Sequence, residues 1–100
     1  MKSLSIDIET YGSVDLTKSG VYAYANAPDF KILLFAYAFD DEEVKIIDLA
    51  QGEALPKEVM NALTDENILK TAYNANFERT CIGKYFNIDL PVNQWWCSAV

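Results

Sequence analysis

From Ser3 to Thr10 the apolar residues Leu4, Ile6 and Ile8 alternate with Ser5, Asp7 and Glu9. A period of two sends the two sets to opposite faces of a strand, so this stretch reads as a half-buried strand with Asp7 and Glu9 pointing the same way. Residues 11–29 lose that period. They are polar, contain Gly12, Gly20 and Pro28, and read as a long connection of the kind that is functional or carries small elements of its own. Within it Asp15 to Lys18 suits a helical turn ended by Gly20, and Val21 to Ala25 an extended segment. Tyr11, Tyr22 and Tyr24 could stack on bases but suit packing of the connection against its own domain better. Phe30 to Phe39 is a bounded run of aromatic and branched residues and predicts a strand. Asp40 to Glu43, four adjacent acids, reads as a solvated hairpin tip rather than a metal site. Val44 to Leu49 returns as the partner strand, which makes the first three strands an antiparallel meander.

After a connection from Ala50 to Leu55 the period lengthens. Pro56 suits the first turn of a helix, where its missing N–H costs nothing. Val59, Met60 and Leu63 fall on one face of a helix over residues 57–63, closed by Thr64 to Asn67. Ile68 to Tyr73 predicts a fourth strand, reached by a helical crossover and therefore parallel to a strand of the meander. Phe77, Cys81 and Tyr85, with Ile82 and Phe86, form the apolar stripe of a helix over residues 76–86, with Asn74 as its cap and Asn87 and Pro91 marking its end. Asn93 to Val100 begins a fifth strand. The expected fold class is α/β, with a mixed sheet of three antiparallel strands followed by parallel strands with crossover helices.

Composition narrows the setting. The chain has 100 residues, about half of them hydrophobic, enough for one sheet with a few covering helices. No apolar run approaches the roughly 20 residues of a membrane span, and Met1-Lys2 leads straight into the first strand without room for a signal peptide. A cytoplasmic protein without a membrane partner is the expectation. Cys81 and Cys97 lack metal-like spacing and read as buried thiols. The net charge of -7 argues against broad nucleic-acid binding through a basic face. It leaves open an enzyme that grips a nucleic-acid end through metal ions.

The chemistry sits first in Asp7 and Glu9. Neighbouring carboxylates on one strand face lie roughly 6–7 Å apart and repel unless a cation stands between them. An oxygen-only donor set suits Mg²⁺ or Mn²⁺, and the chain has no histidine to recruit zinc. On its own such a pair is more often a solvated strand face. The second signal is Tyr73 to Arg79, which places Asn74 at a strand end and Glu78 in the first turn of the next helix, where the helix field favours an acid. A meander, a helix, a parallel strand and a helix give the ribonuclease H-like order, in which the fourth strand lies beside the first and Glu78 stands near Asp7 and Glu9.

With these residues in place, the chain resembles the DEDD-type 3′-to-5′ exonucleases, most closely the proofreading domain of phage-type family A DNA polymerases. Asp7-Ile8-Glu9-Thr10 is similar to the first exonuclease motif, Asp-x-Glu. Asn74-Ala75-Asn76-Phe77-Glu78 is similar to the second, Asn-x-x-(Phe/Tyr)-Asp, with glutamate in the place of aspartate. Leu49 to Glu53 and the closing Trp96-Cys97-Ser98 extend the likeness along the whole chain. The family's third motif, a Tyr or His four residues before a final Asp, is not among these residues. The resemblance implies that residues 1–100 are the N-terminal part of such a domain, truncated after the fifth strand and inactive alone. A polymerase domain is expected downstream, and the expected substrate is the single-stranded 3′ end of DNA. It further implies two Mg²⁺ or Mn²⁺ ions, with Asp7, Glu9 and Glu78 as catalytic metal ligands and Thr10 and Asn74 as contacts to the end nucleotide. Phe77 is expected in the core rather than as a base wedge. The rival expectations are a non-catalytic ribonuclease H-like scaffold module and a DEDD ribonuclease.

Overall fold

The structure, a computed structural model, describes residues 3–98. Met1 and Lys2, expected to lead into the first strand, and Ala99 and Val100, expected to end the fifth, lie outside the described residues. The elements run in the order β1 (Ser3–Tyr11), α1 (Leu16–Asn26), β2 (Lys31–Phe39), β3 (Lys45–Asp48), α2 (Lys57–Thr64), β4 (Leu69–Ala72), α3 (Ala75–Phe86) and β5 (Trp95–Cys97). Short 3-10 turns at Leu49–Gln51 and Val92–Gln94 precede α2 and β5.

The strands form one sheet in the order β3-β2-β1-β4-β5. β1 pairs antiparallel with β2 and parallel with β4, and β4 pairs parallel with β5. Meander and crossover are thus both as the periodicity predicts. β1 is central because it alternates cleanly: Leu4, Ile6 and Ile8 are buried, while Ser5, Asp7 and Glu9 are exposed. The hydrophobic core gathers these with Ile32, Phe35 and Phe39 of β2, Val59, Ala62 and Leu63 of α2, and Cys81 and Ile82 of α3. Between Glu9 and Thr10 the β1–β2 register shifts, from Glu9 opposite Leu34 to Thr10 opposite Ile32, which leaves Leu33 as the extra residue of a bulge.

Three expectations are corrected. Val21 to Ala25 is helical, not extended: it is the second half of α1, set off from the first by Gly20 at φ 84°, ψ 167°. Val21 and Tyr22 carry strand propensity, but tertiary packing overrides it. Tyr24 is buried with its ring 5.4 Å from Phe30 and 6.2 Å from Phe77, centroid to centroid. Gly12 permits this approach, because a Cβ there would stand 2.7 Å from Tyr24 Cε1. The expected apolar stripe of α3 holds at Phe77, Cys81, Ile82 and Phe86, which lie in or against the core, but not at Tyr85, which is exposed, while Glu78 and Thr80 are buried as well. Finally, only Cys81 is a buried thiol; Cys97 is exposed, with Sγ accepting a 3.3 Å hydrogen bond from the Ala75 amide.

A buried cation went unforeseen. Lys70 of β4 is fully buried, and its Nζ donates to the Asp65 carbonyl at 2.7 Å and to Gln94 Oε1 at 2.9 Å. Burial pushes its pKa down, opposed by the nearby charge of Asp65. The lysine ties β4 to the turn that leads into β5.

Candidate metal and nucleotide cleft

β4 pairs with β1 only from Ser3 to Ser5, so the second half of β1 runs past its parallel neighbour. The space beyond the carboxyl end of β4 is taken by the start of α3. In open α/β sheets this is where ligands bind. A cleft of about 310 Å³ lies here, lined by Asp7 and Ile8 of β1, Leu16 of α1, Tyr73 and Asn74 at the strand-to-helix junction, and Phe77 and Glu78 of α3.

Each side chain has a local cause for its position. Asp7 faces out because its neighbours Ile6 and Ile8 take the core face. Asn74 caps α3, its Oδ1 accepting from the Phe77 amide at 3.4 Å. That cap fixes the helix start, and Glu78 then falls on the first turns facing β1. Glu78 is only 4% exposed. Burial pushes its carboxyl up to about 7, and the charge of Asp7 adds to the rise, against hydrogen bonding to the backbone at Asn74 and at Glu78 itself. Cys81, one turn further along α3, is pushed up to about 12 by burial and then by Glu78.

Of the five residues singled out in the sequence, Asp7, Glu78 and Asn74 thus share one cleft. Glu9 lies on the same strand face as Asp7 but is not among the cleft's lining residues, and Thr10 instead shares a 2.8 Å hydrogen bond with the Tyr24 hydroxyl. Phe77 is half-buried, in contact with Tyr24 and at the cleft wall. Leu16 and Tyr73 were not foreseen as cleft residues. Tyr73 adjoins Asn74 and could have been found by adjacency, whereas Leu16 arrives only through the packing of α1 on α3.

Among the described residues no three carboxylates, thiols or imidazoles stand together as a ready metal cage. The pair in the cleft still fits a hard divalent cation. Mg²⁺ keeps several waters and binds through one or two carboxylates plus substrate phosphate rather than through an all-protein cage. A carboxylate that burial raises toward neutrality, with a second one beside it adding to the rise, is a place where a cation relieves both burial and repulsion.

The architecture defines the class first: the fold is ribonuclease H-like, and solved structures share it. Brucella melitensis NrnC, NrnC with bound Mg²⁺ and NrnC bound to pGG superpose with TM-scores of 0.66, 0.66 and 0.67, each at 16% identity and over 96% of this chain. The chain covers 40%, 41% and 40% of those three chains, respectively. The DNA polymerase of Bacillus phage SP02 is 71% identical to this chain over all 100 residues, and the chain spans 15% of that polymerase's length. No protein-family profile matches the chain.

Proposed function

We propose that residues 1–100 are part of a metal-dependent 3′-to-5′ exonuclease domain, the proofreading unit of a DNA polymerase, acting in the cytoplasm on the single-stranded 3′ end of DNA. The observation that carries this reading is the meeting of Asp7 with the buried Glu78 in one cleft at the carboxyl end of a parallel strand. The 71% identity to a phage DNA polymerase supports the polymerase context. The reading also takes the downstream polymerase domain and the third exonuclease motif to lie in sequence other than these residues.

Asp7 and Glu78 would hold Mg²⁺ or Mn²⁺, with Glu9 completing the set once substrate brings its own phosphate oxygens. When bound, two such ions supply an activated water and charge stabilisation at the scissile phosphodiester. The chain's own residues bind and orient. Asn74 commits Oδ1 to its helix cap, which leaves its amide N–H groups free to donate to the terminal phosphate or sugar. Leu16 and Phe77 form an apolar wall on which the terminal base can rest. Thr10, braced by Tyr24, offers its hydroxyl to the end nucleotide from the strand beyond Glu9.

Titration of the chain with Mn²⁺ tests the site. Asp7→Ala and Glu78→Gln are each expected to weaken binding about ten-fold or more. Unchanged binding in Asp7→Ala overturns the catalytic reading and leaves a scaffold module. With Mg²⁺ and a single-stranded oligonucleotide, the 100-residue chain alone is expected to release little mononucleotide, because a complete site needs the later motif.

A further inference from the structure

A second cavity, about 450 Å³, lies further along α3 and is lined by Tyr22 of α1, by Arg79, Thr80 and Lys84 of α3, and by the loop through Asp89. Its chemistry differs from that of the rest of the surface. In a chain with only eight basic residues and a net charge of -7, two cations line this one cavity against a single acid. The Arg79 guanidinium is pinned, Nη1 donating to the Leu90 carbonyl at 3.1 Å and Nη2 to Asn76 Oδ1 at 3.2 Å. Its Nε–H is nevertheless buried without a partner, and so is Oγ1 of Thr80, a residue 6% exposed. Of the three buried side-chain polar atoms without partners among the described residues, these two belong to the cavity's lining residues. Such atoms cost free energy unless a water or a ligand satisfies them. Beside them Tyr22 is 64% exposed, a platform on which a base can stack.

The same two helices supply both sites, Leu16 and Glu78 to the first and Tyr22 and Lys84 to the second. Glu78 and Lys84 are separated by about 9 Å of helix axis at the standard rise, a span that a single strand crosses within a few nucleotides. We propose that this cavity receives a phosphodiester of single-stranded nucleic acid upstream of the end held in the Asp7–Glu78 cleft. Lys84 and Arg79 meet the phosphate, and Tyr22 stacks on the adjoining base. The proposal rests on the exonuclease reading and adds a substrate-holding subsite to it.

The test is fluorescence anisotropy of a 5′-labelled oligothymidylate on the 100-residue chain, with Ca²⁺ as the divalent ion and at several salt concentrations. Lys84→Gln is expected to weaken binding several-fold and to reduce the slope of log K against log salt by about 0.7, the share of one phosphate contact on a single strand. Tyr22→Leu is expected to weaken it about five-fold. Thymidine monophosphate, which reaches only the first cleft, should bind both variants as it binds the parent. If both variants hold the oligonucleotide as the parent does while Asp7→Ala loses it, the subsite falls and the exonuclease reading stands. Loss in Lys84→Gln and Tyr22→Leu with Asp7→Ala unaffected keeps the cavity as a nucleic-acid site and removes the cleft as the holder of the end. A parent chain that binds no oligonucleotide overturns both.

Discussion

Glu78 occupies a helix position where an acid gains from the helix field, yet the same position is buried against β1 beside a second acid. Burial wins, because desolvation is the largest cause acting on its carboxyl and Asp7 adds to it. Folding therefore raises this pKa from 4.5 to about 7. The sign follows from linkage: the protonated form is favoured in the folded state, so the contribution is fully present below 4.5 and is lost as pH rises through about 7. In metal-free buffer, the urea midpoint of the parent relative to Glu78→Gln should fall across that window. A difference independent of pH would show that Glu78 is solvated. The facing of Asp7 and Glu9 was legible in the alternation of one strand. The burial of Glu78 was not, since it depends on which side of α3 meets the sheet.

α1 shows the same limit for an element. Its start is local chemistry: Asp15, expected within the helical turn, instead caps it, with Oδ1 accepting from the Thr17 and Lys18 amides at 3.0 and 3.3 Å. Its interruption is local too, for Gly20 takes a positive φ that other residues resist. The second half of the helix, after Gly20, forms only because Tyr24 must reach Thr10, Phe30 and Phe77. Gly20→Ala meets no atom within 4 Å, so its cost is the backbone conformation alone, about 1–3 kcal/mol. Asp15→Ala should lower stability through the lost cap. Both are read from urea unfolding, and a neutral Gly20→Ala would place the kink elsewhere.

For the whole molecule, α2 and the sheet are held together by side chains far apart in sequence. Leu63 is fully buried in the core with Leu4 and Phe35. Leu63→Ala should cost about 2–5 kcal/mol and lower Tm by roughly ten degrees or more in a domain of this size. A loss near zero would mean that α2 is peripheral to the core. The buried Lys70 belongs to this scale as well, because its two acceptors, the Asp65 carbonyl and Gln94 Oε1, come from segments on either side of β4 and α3.

By itself the sequence determined the order and type of the strands, the meander and its parallel continuation, the Asn74 cap of α3, and the face shared by Asp7 and Glu9. These arise from periodicity and from hydrogen-bonding groups within a few residues of one another. Only the tertiary structure decided that Glu78 is buried where it meets Asp7, that Thr10 is tied to Tyr24, that Lys70 is buried, and that Arg79 and Thr80, which line a second cavity, carry buried polar atoms without partners. The rotation of a helix about its own axis is set by what packs against it, and that partner lies elsewhere in the chain.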